Sequence, residues 1–442
     1  MGLTRTLRMA GSTAAVGALL FAAASPASAD QVRNDQWPLQ SLDTEAVWKV
    51  ATGKGVTVAV IDDGVDASHP DLKGNVLPGK DFIDGDSDAS PAAGDDHGTA
   101  MAGDIAGHGH GPNGADGVKG LAPQAKILPL RDDGVHTDGF APSIKYAVDQ
   151  GASVINISLG GGTPAAGGVE LEAIQYALQH NVIVVAASGN EGKSGTEAIG
   201  YPGSYPGVVT VGAVKEGNEI WEKSNSGPSL LLTAPGYNIV STSTDSYGYG
   251  MATGTSDATA YVSAACALLR QKFPNLTAGQ IVNRLTKTAG LPASAKGLKL
   301  PDEKYGYGYI RPLAALEDNI PAGSKDGPLT MPASNSPTAS GNSTAPSSAS
   351  GDSGGGLTTN SVIALSVLGA LGVLIVIGIP LLLVQRARSR REAEQIHLSQ
   401  QAGYGNYPQG YYPGPAPYQQ QPPTAANPYQ QQPPSDRYPH QQ

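Results

Sequence analysis

Three polar residues stand at the ends of apolar or small-residue segments, and their side chains are the types that acyl-transfer chemistry needs. Asp62 ends a short apolar run, with Asp63 directly after it. His97 follows a polar, glycine-rich loop and opens a run of small residues, and Ser256 opens a long apolar run. A hydroxyl nucleophile, an imidazole base and a carboxylate that orients the base are the groups that hydrolyse a carbonyl compound through a covalent acyl intermediate.

Asp62 and Ser256 each have a simpler explanation when they are considered alone, whereas His97 is a good candidate for a base. Many strands end in an aspartate that only serves the following turn. Thr255 or Ser256 is a suitable N-cap for the helix that follows. His97 has the side chain best suited to act as a base near neutral pH. Asp63 is a weaker candidate than Asp62, because alternation along a strand predicts that it points to the opposite side.

The elements that would position these residues alternate between strands and helices. Nearly continuous apolar runs predict strands at Val56–Ile61, Ile127–Leu130, Val154–Ile157, Val182–Ala187 and Val208–Val214. Helical spacing of apolar residues predicts helices at Pro142–Asp149 and Val169–His180. Strands that are apolar on both faces, with helices between them, predict an α/β fold with a parallel sheet covered on both sides.

The order of the motifs resembles the subtilisin family of serine proteases. Asp-x-Gly follows a strand, His-Gly-Thr opens a helix and Gly-Thr-Ser opens another, in that order along the chain. Further stretches are similar to those of the family: Val154–Gly161, Ala186–Gly192, Tyr201–Pro206 and Ala234–Thr242. The resemblance covers about residues 37–316. It implies a mostly parallel central sheet with helices on both faces, and hydrolysis of peptide bonds in a polypeptide substrate.

The resemblance also implies a role for particular residues of this chain. Asp62, His97 and Ser256 would form the catalytic triad. The side-chain amide of Asn190 and the backbone N–H of Ser256 would form the oxyanion hole. The residues implied in substrate binding are Ser158, Leu159, Gly160, Ala187, Ser188 and Gly189. No metal site and no required cofactor are implied.

Three positions depart from the family pattern. Ala100 stands where a second histidine is common, and Ala260 stands where a proline is usual. Asp257 replaces the usual methionine directly after the nucleophile. A carboxylate at this helix N-terminus is well placed with respect to the helix dipole, but it would oppose a nearby oxyanion. Activity is expected to survive if the side chain of Asp257 turns away from the cleft.

The remainder of the chain predicts export and membrane attachment. Residues 1–29 have the basic, apolar and small-residue parts of a cleaved signal peptide. A protease domain is predicted at 30–317, followed by a Ser/Pro/Gly-rich linker at 318–360. Residues 361–384 contain no charge and are long enough for a transmembrane helix. The Gln/Pro/Tyr-rich tail at 385–442 is predicted to be disordered.

Topology and subfamily follow from this plan. The arginines directly after the predicted span place the tail in the cytoplasm and the protease domain outside the cell. The chain is thus predicted to be a single-pass protein of the cell membrane.

The order of signal peptide, protease domain, single span and tail resembles that of mycosins, the membrane-anchored proteases of type VII secretion. Components of that secretion system are possible partners. The short stretch before Trp37 predicts that no inhibitory prodomain is removed. The alternative is a non-catalytic structural component of a secretion complex that keeps the protease fold.

Composition limits the other possibilities. The net charge of −10 argues against a nucleic-acid partner. Cys266 is the single cysteine, so the chain forms no internal disulfide, and the disulfides of mycosins are impossible here. Asp84, Asp86 and Asp88 alternate in an acidic loop that could hold Ca²⁺, although a solvated loop without a metal is the favoured interpretation.

Overall fold

Helices and strands alternate along the part of the chain described by the computed structural model. This part comprises residues 29–160 and 162–329, without the side chains of residues 29 and 30. The helices are α1 (Ala29–Asn34), α2 (Trp37–Ser41), α3 (Thr44–Val50), α4 (His97–Ala106), α5 (Ala141–Asp149), α6 (Val169–Gln179), α7 (Thr255–Lys272), α8 (Ala278–Thr288) and α9 (Pro312–Glu317). The strands are β1 (Thr57–Asp62), β2 (Lys80–Asp81), β3 (His108–His110), β4 (Asp116–Lys119), β5 (Lys126–Arg131), β6 (Val154–Ile157), β7 (Ile183–Ala187), β8 (Val209–Val214), β9 (Leu230–Pro235), β10 (Ile239–Thr242) and β11 (Tyr249–Ala252).

Seven strands form one sheet in the order β2-β5-β1-β6-β7-β8-β9. Every neighbouring pair in this sheet is parallel. Strand β1 lies inside the sheet, where Val58 is in register with Ile127 on one side and Val154 on the other. The prediction of a parallel sheet is confirmed, and the five predicted strands agree with the observed ones to within one residue at each end.

The sheet is apolar on both faces because helices cover both of them. Val58 and Val60 of β1 belong to a core shared with α4, α7 and α8. Ala59 and Ile61 belong to a second core on the other face, shared with α5 and α6. Consecutive side chains of a strand point to opposite faces, so one strand contributes to both cores. Asp62 therefore continues the face that α4 and α7 cover.

Helix α7 is the central helix of the first core. It has 18 residues, and those from Thr255 to Arg270 are all buried. Small side chains, mainly Ala and Ser, allow this helix to pack closely against the sheet. Cys266 is fully buried in its middle, and burial raises the pKa of the thiol to about 12. Cys266 is therefore a small core residue.

The N-terminal segment and the residues after α9 are packed onto the same body. The indole N–H of Trp37 donates to the carbonyl of Tyr237 at 2.9 Å. At the other end, the Arg284 guanidinium of α8 donates to the carbonyl oxygens of Asp318 and Ile320 at 2.7 and 3.1 Å. Leu329 is 6% exposed. The packed body thus extends through residue 329, into the range predicted as linker.

The predicted membrane span at 361–384 lies outside the described residues, as do the cytoplasmic tail at 385–442 and the signal peptide up to residue 28. Among the helices from α1 to α9, none combines the length and the hydropathy that crossing a bilayer requires.

Candidate active site

The candidate site lies at the carboxyl ends of three neighbouring strands. Asp62 is the last residue of β1, and Ser158 follows β6 directly. Asn190 lies three residues beyond the end of β7. In parallel α/β sheets this edge forms the crevice in which ligands bind. The amino ends of α4 and α7 point to the same edge and bring His97 and Ser256 to it.

Asp62 and His97 are in direct contact. Nδ1 of His97 lies 2.7 Å from Oδ1 of Asp62, and the Asp62 side chain is 1% exposed. The same Oδ1 also accepts the backbone N–H of Asp63 at 2.9 Å. This contact fixes the orientation of the imidazole and places a proton on Nδ1 when Asp62 is ionised. The opposite nitrogen, Nε2, is then the position at which the ring can accept a proton.

Asp63 has a positioning role that differs from its prediction. Its two carboxylate oxygens accept the backbone N–H groups of His97 and Gly98, at 3.1 and 2.7 Å. Strand β1 ends at Asp62, so strand alternation no longer determines the direction of the next side chain. The prediction that Asp63 points to the opposite side was therefore wrong. Asp63 holds the first turn of α4 against the end of β1, while Asp62 holds the imidazole itself.

The carboxylates around His97 favour its charged form. Burial by itself lowers the pKa of His97, but Asp62, Asp63 and Asp257 act in the opposite direction and raise the pKa to about 10. Burial and the adjacent Asp62 raise the pKa of Asp63 to about 7. An imidazole that has taken up a proton is therefore strongly stabilised here.

Ser256 is fixed to the loop after β6 by two hydrogen bonds that run in opposite directions. Its hydroxyl donates to the carbonyl oxygen of Ser158 at 2.9 Å, and the Ser158 hydroxyl donates to the carbonyl oxygen of Ser256 at 2.9 Å. The N-cap of α7 is Gly254, and Thr255 and Ser256 lie within the helix. The alternative that Ser256 serves only as an N-cap is therefore excluded. Its backbone N–H belongs to the first turn, where helical N–H groups lack a helical partner.

Asn190 is oriented by Thr255. Its Oδ1 accepts the backbone N–H and the hydroxyl of Thr255, at 2.8 and 2.9 Å. The amide nitrogen Nδ2 is consequently turned the other way. A methyl group built on Gly254 would lie 3.4 Å from Nδ2 of Asn190 and 3.5 Å from the backbone nitrogen of Ser256. Two N–H donors therefore border one small space, which suits an oxyanion, and Oδ2 of Asp257 borders the same space at 3.5 Å.

Comparison with known proteins identifies the family. Residues 53–308 match the subtilase family. The chain belongs to this family. Subtilisin from Bacillus pumilus is 39% identical over 274 residues, which cover 60% of this chain and 92% of that protein. Subtilisin E from Bacillus subtilis is 41% identical over 246 residues, or 54% of this chain and 61% of that protein. Because it belongs to this family, this subtilase is a serine endopeptidase.

Solved structures give a second set of neighbours. MycP1 from Mycobacterium smegmatis is 31% identical, with a TM-score of 0.57 over 67% of this chain and 88% of that chain. MycP3, a protease from the type VII (ESX-3) secretion system, is 33% identical, with a TM-score of 0.56 over 66% of this chain and 90% of that chain. The subtilase fold of this chain is therefore shared with proteases of two kinds, the Bacillus subtilisins and the MycP proteins.

The residues expected to bind substrate line the same edge of the subtilase sheet. They are Ser158, Leu159 and Gly160 after β6, and Ala187, Ser188 and Gly189 at the end of β7. Gly189 has a φ of +106°, and a Cβ there would lie 2.4 Å from Nδ2 of Asn225. Asn225 holds this segment by accepting the backbone N–H groups of Glu191 and Lys193, at 3.2 and 2.8 Å.

Sequence reasoning missed Asn225 because its local context, Ser-Asn-Ser, is ordinary for a loop. Its partners precede it by about thirty residues, and only the packing of two loops beyond β7 and β8 brings them together. The glycine next to Asn190 is a weak sequence signal that another group approaches the backbone closely.

Substitution of Gly254 with alanine is expected to reduce kcat while the fold is retained. Gly254 has an extended backbone, with φ −168°, and the added methyl group would meet its neighbours at ordinary van der Waals distance. The methyl group would nevertheless occupy the space bordered by Asn190 and Ser256. We expect kcat to fall about 10²–10³-fold, as when one oxyanion donor is lost. Unchanged kcat, with an unchanged melting temperature, would show that the oxyanion binds elsewhere.

The acidic loop uses its carboxylates within the protein. Asp84 pairs with the Arg131 guanidinium at 2.8 Å. Asp86 and Asp88 each accept a backbone N–H two residues ahead, at 2.8 and 3.1 Å. In the described part of the chain, the group with converging potential ligand atoms is a different one, formed by Asp132, Asp133 and His136. A solvated loop without a metal stays the prediction for this segment, with a Ca²⁺ site as its alternative.

Proposed function

We propose that this subtilase is a membrane-anchored endopeptidase that cleaves exported proteins on the outer side of the cell membrane, in connection with a type VII secretion system. The observation that carries this proposal is the likeness to MycP1 and MycP3 over about two thirds of the chain, combined with the uncharged segment at 361–384. A second MycP1 structure among these neighbours is that of a protein from the ESX-1 type VII secretion system.

In the proposed reaction, Ser256 attacks the carbonyl carbon of the scissile peptide bond and His97 takes the proton of its hydroxyl. Asp62 stabilises the imidazolium that forms, through its contact with Nδ1. The oxyanion is stabilised by the side-chain N–H of Asn190 and the backbone N–H of Ser256. His97 then passes the proton to the leaving amine. Water next attacks the acyl carbon while His97 takes its proton, and that proton returns to the Ser256 oxygen as the ester bond breaks and the carboxylate product leaves. The hydroxyl must first leave the carbonyl of Ser158, to which it donates in the structure.

The substrate backbone would bind at the edge formed by Ser158–Gly160 and Ala187–Gly189. Both segments follow parallel strands and run side by side, with a Cβ on Gly160 lying 3.5 Å from the carbonyl oxygen of Ala187. Glycines at both segments leave room for an extended peptide to approach the backbone. This arrangement fits an unfolded or flexible segment of a polypeptide as the substrate.

Asp257 provides the one reason to keep a non-catalytic function in view. A carboxylate directly after the nucleophile opposes a nearby negative charge. The side chain of Asp257 is fully buried, however, and its Oδ2 lies behind the space between Asn190 and Ser256, where it leaves both N–H donors in place. The residues that would carry out the reaction are all retained, so the enzymatic function is the one the site supports.

The anchor and the location can be tested together. We expect the full-length protein to sediment with membranes and to be digested by an added protease on intact cells. A chain that ends at residue 360 should instead appear in the culture medium and still react with a fluorophosphonate probe. If this shortened chain stays with the membrane, or if full-length protein is soluble, the proposed anchor is wrong.

The link to secretion is tested by comparing exported proteins. Cells that carry Ser256→Ala should accumulate uncleaved forms of one or a few exported proteins, whereas the amount of the protease itself should not change. Identical secretomes of wild type and Ser256→Ala would leave the peptidase chemistry intact but remove the proposed processing role. Loss of secretion without any cleavage difference would favour the structural function.

A further inference from the structure

Two aspartates are buried together directly behind the site. Asp257 follows Ser256 on α7, and Asp104 lies on α4, seven residues after His97 and hence on the same side of that helix. Both side chains are 0% exposed. The two carboxyl groups are close enough to hydrogen-bond each other. Tyr261, one turn after Asp257, faces the same place and is also fully buried.

The surroundings provide little to satisfy two negative charges. Among the described residues, no donor reaches any of the four carboxyl oxygens with full hydrogen-bond geometry, but the backbone N–H groups of Gly254 and Asp257 approach the carboxylate of Asp257. The Ser241 hydroxyl on β10 faces Asp104 but donates to the carbonyl of Ala100 at 2.7 Å. The titratable groups that face the pair are His97 and Tyr261. A cluster without a nearby lysine or arginine partner cannot hold two adjacent carboxylates.

One proton between the two carboxyl groups resolves this problem. A protonated Asp104 donates to an ionised Asp257, which gives each group a hydrogen-bond partner and leaves a single negative charge. Burial and the neighbouring Asp257 raise the pKa of Asp104 well above its ordinary range. Burial raises the pKa of Asp257 to about 7, so the charge is present from neutral pH upward.

We propose that Asp104 and Asp257 are positioning residues that share one proton and hold a single negative charge behind the triad, where it stabilises the protonated imidazole of His97 during the reaction. Asp257 is the member that carries the charge, and Asp104 is the member that keeps the proton. The position directly after the nucleophile, where the family pattern has an uncharged methionine, is thus occupied here by one member of a carboxyl pair.

The same charge also acts on the oxyanion. The methyl group built on Gly254, which marks the space before Asn190, would lie 3.5 Å from Oδ2 of Asp257. A negative charge on Asp257 favours the protonated imidazole of His97 and opposes an oxyanion in that space, so the two effects on kcat oppose each other. The pH at which His97 loses its proton depends on the first effect alone. The decisive measurement is therefore a pH profile and not a single rate.

The test compares asparagine variants of the full-length protein. The second-order rate constant for labelling of Ser256 by a fluorophosphonate probe is measured as a function of pH, because labelling requires the neutral imidazole. In Asp257→Asn the charge is lost, and the midpoint of the profile should fall by about one pH unit. Asp104→Asn is the matched control, since its amide N–H replaces the shared proton and Asp257 keeps its charge. Its midpoint should equal that of wild type.

The double variant Asp104→Asn/Asp257→Asn should behave as Asp257→Asn does, because two amides can pair with each other and carry no charge. An unchanged midpoint in Asp257→Asn contradicts the proposal, and so does an equal shift in Asp104→Asn. Infrared spectroscopy provides a second measurement that does not require active variants. Wild type should show the carbonyl band of a buried protonated carboxyl group at mildly alkaline pH, and its absence overturns the proposal by itself.

Discussion

Ser256→Ala is expected to lower kcat about 10⁶-fold, with little change in KM and in the melting temperature. The hydroxyl is the nucleophile in the proposed reaction, and no other group described at the site can take its place. The fold should tolerate the change, because the second hydrogen bond to this segment, from the Ser158 hydroxyl to the carbonyl of residue 256, is retained. Steady-state hydrolysis of a peptide library by purified protein measures the effect.

The other members of the triad provide the controls for this result. His97→Ala should cost about as much as Ser256→Ala, and the double variant should be no worse than either, since the two residues act as one unit. Asp62→Asn should cost less, about 10⁴-fold, because the imidazole loses its correct tautomer but stays in place. A purified Ser256→Ala protein that retains more than a small fraction of the activity would exclude Ser256 as the nucleophile.

Asn190→Ala is expected to lower kcat about 10²–10³-fold, which corresponds to about 2.7–4 kcal/mol of lost transition-state stabilisation. The amide contributes only when negative charge develops on the carbonyl oxygen, so KM should change little. The backbone N–H of Ser256 remains as the second donor and keeps the residual activity well above that of Ser256→Ala.

Asn190→Asp and Thr255→Ser distinguish a donor from a structural contact. Aspartate can still accept the two hydrogen bonds from Thr255, but it offers an oxygen where the amide offered an N–H. Its kcat should therefore be at least as low as that of Asn190→Ala. Thr255→Ser keeps both donors to Asn190 and should be close to wild type. Activity of Asn190→Asp near that of wild type would show that Nδ2 does not contact the oxyanion.

The strands and the polar residues at their ends could be predicted because the signals are local. A parallel strand buried on both faces must be apolar throughout, so β1 and β6 to β8 are visible as short apolar runs. Their order then places Asp62 and Ser158 at one edge. The edge strand β2 has two residues, which is too short for any periodicity, and it was not predicted.

The residues that support the site were harder to find, because their roles depend on pairs distant in sequence. Asp63 caps α4 only because β1 ends one residue earlier. Asp104 lies within a run of small residues, and nothing nearby indicates that its carboxyl group meets that of Asp257. An aspartate at a buried helical position is itself unusual, and this was the available signal. Using this signal requires knowing which face of α4 is buried. The helix is only weakly amphipathic, so its sequence does not show that face.

Cys266 gives the protein an internal reporter of unfolding. The thiol lies in the middle of α7, the helix whose first turn carries the nucleophile, it is fully buried, and it is the single cysteine of the sequence. An alkylating reagent reacts with the thiolate, which forms only when the residue is released from the core. Each alkylated molecule therefore records one opening of α7. The rate of gain in mass therefore reports how readily this subtilase exposes the interior on which Ser256 is mounted.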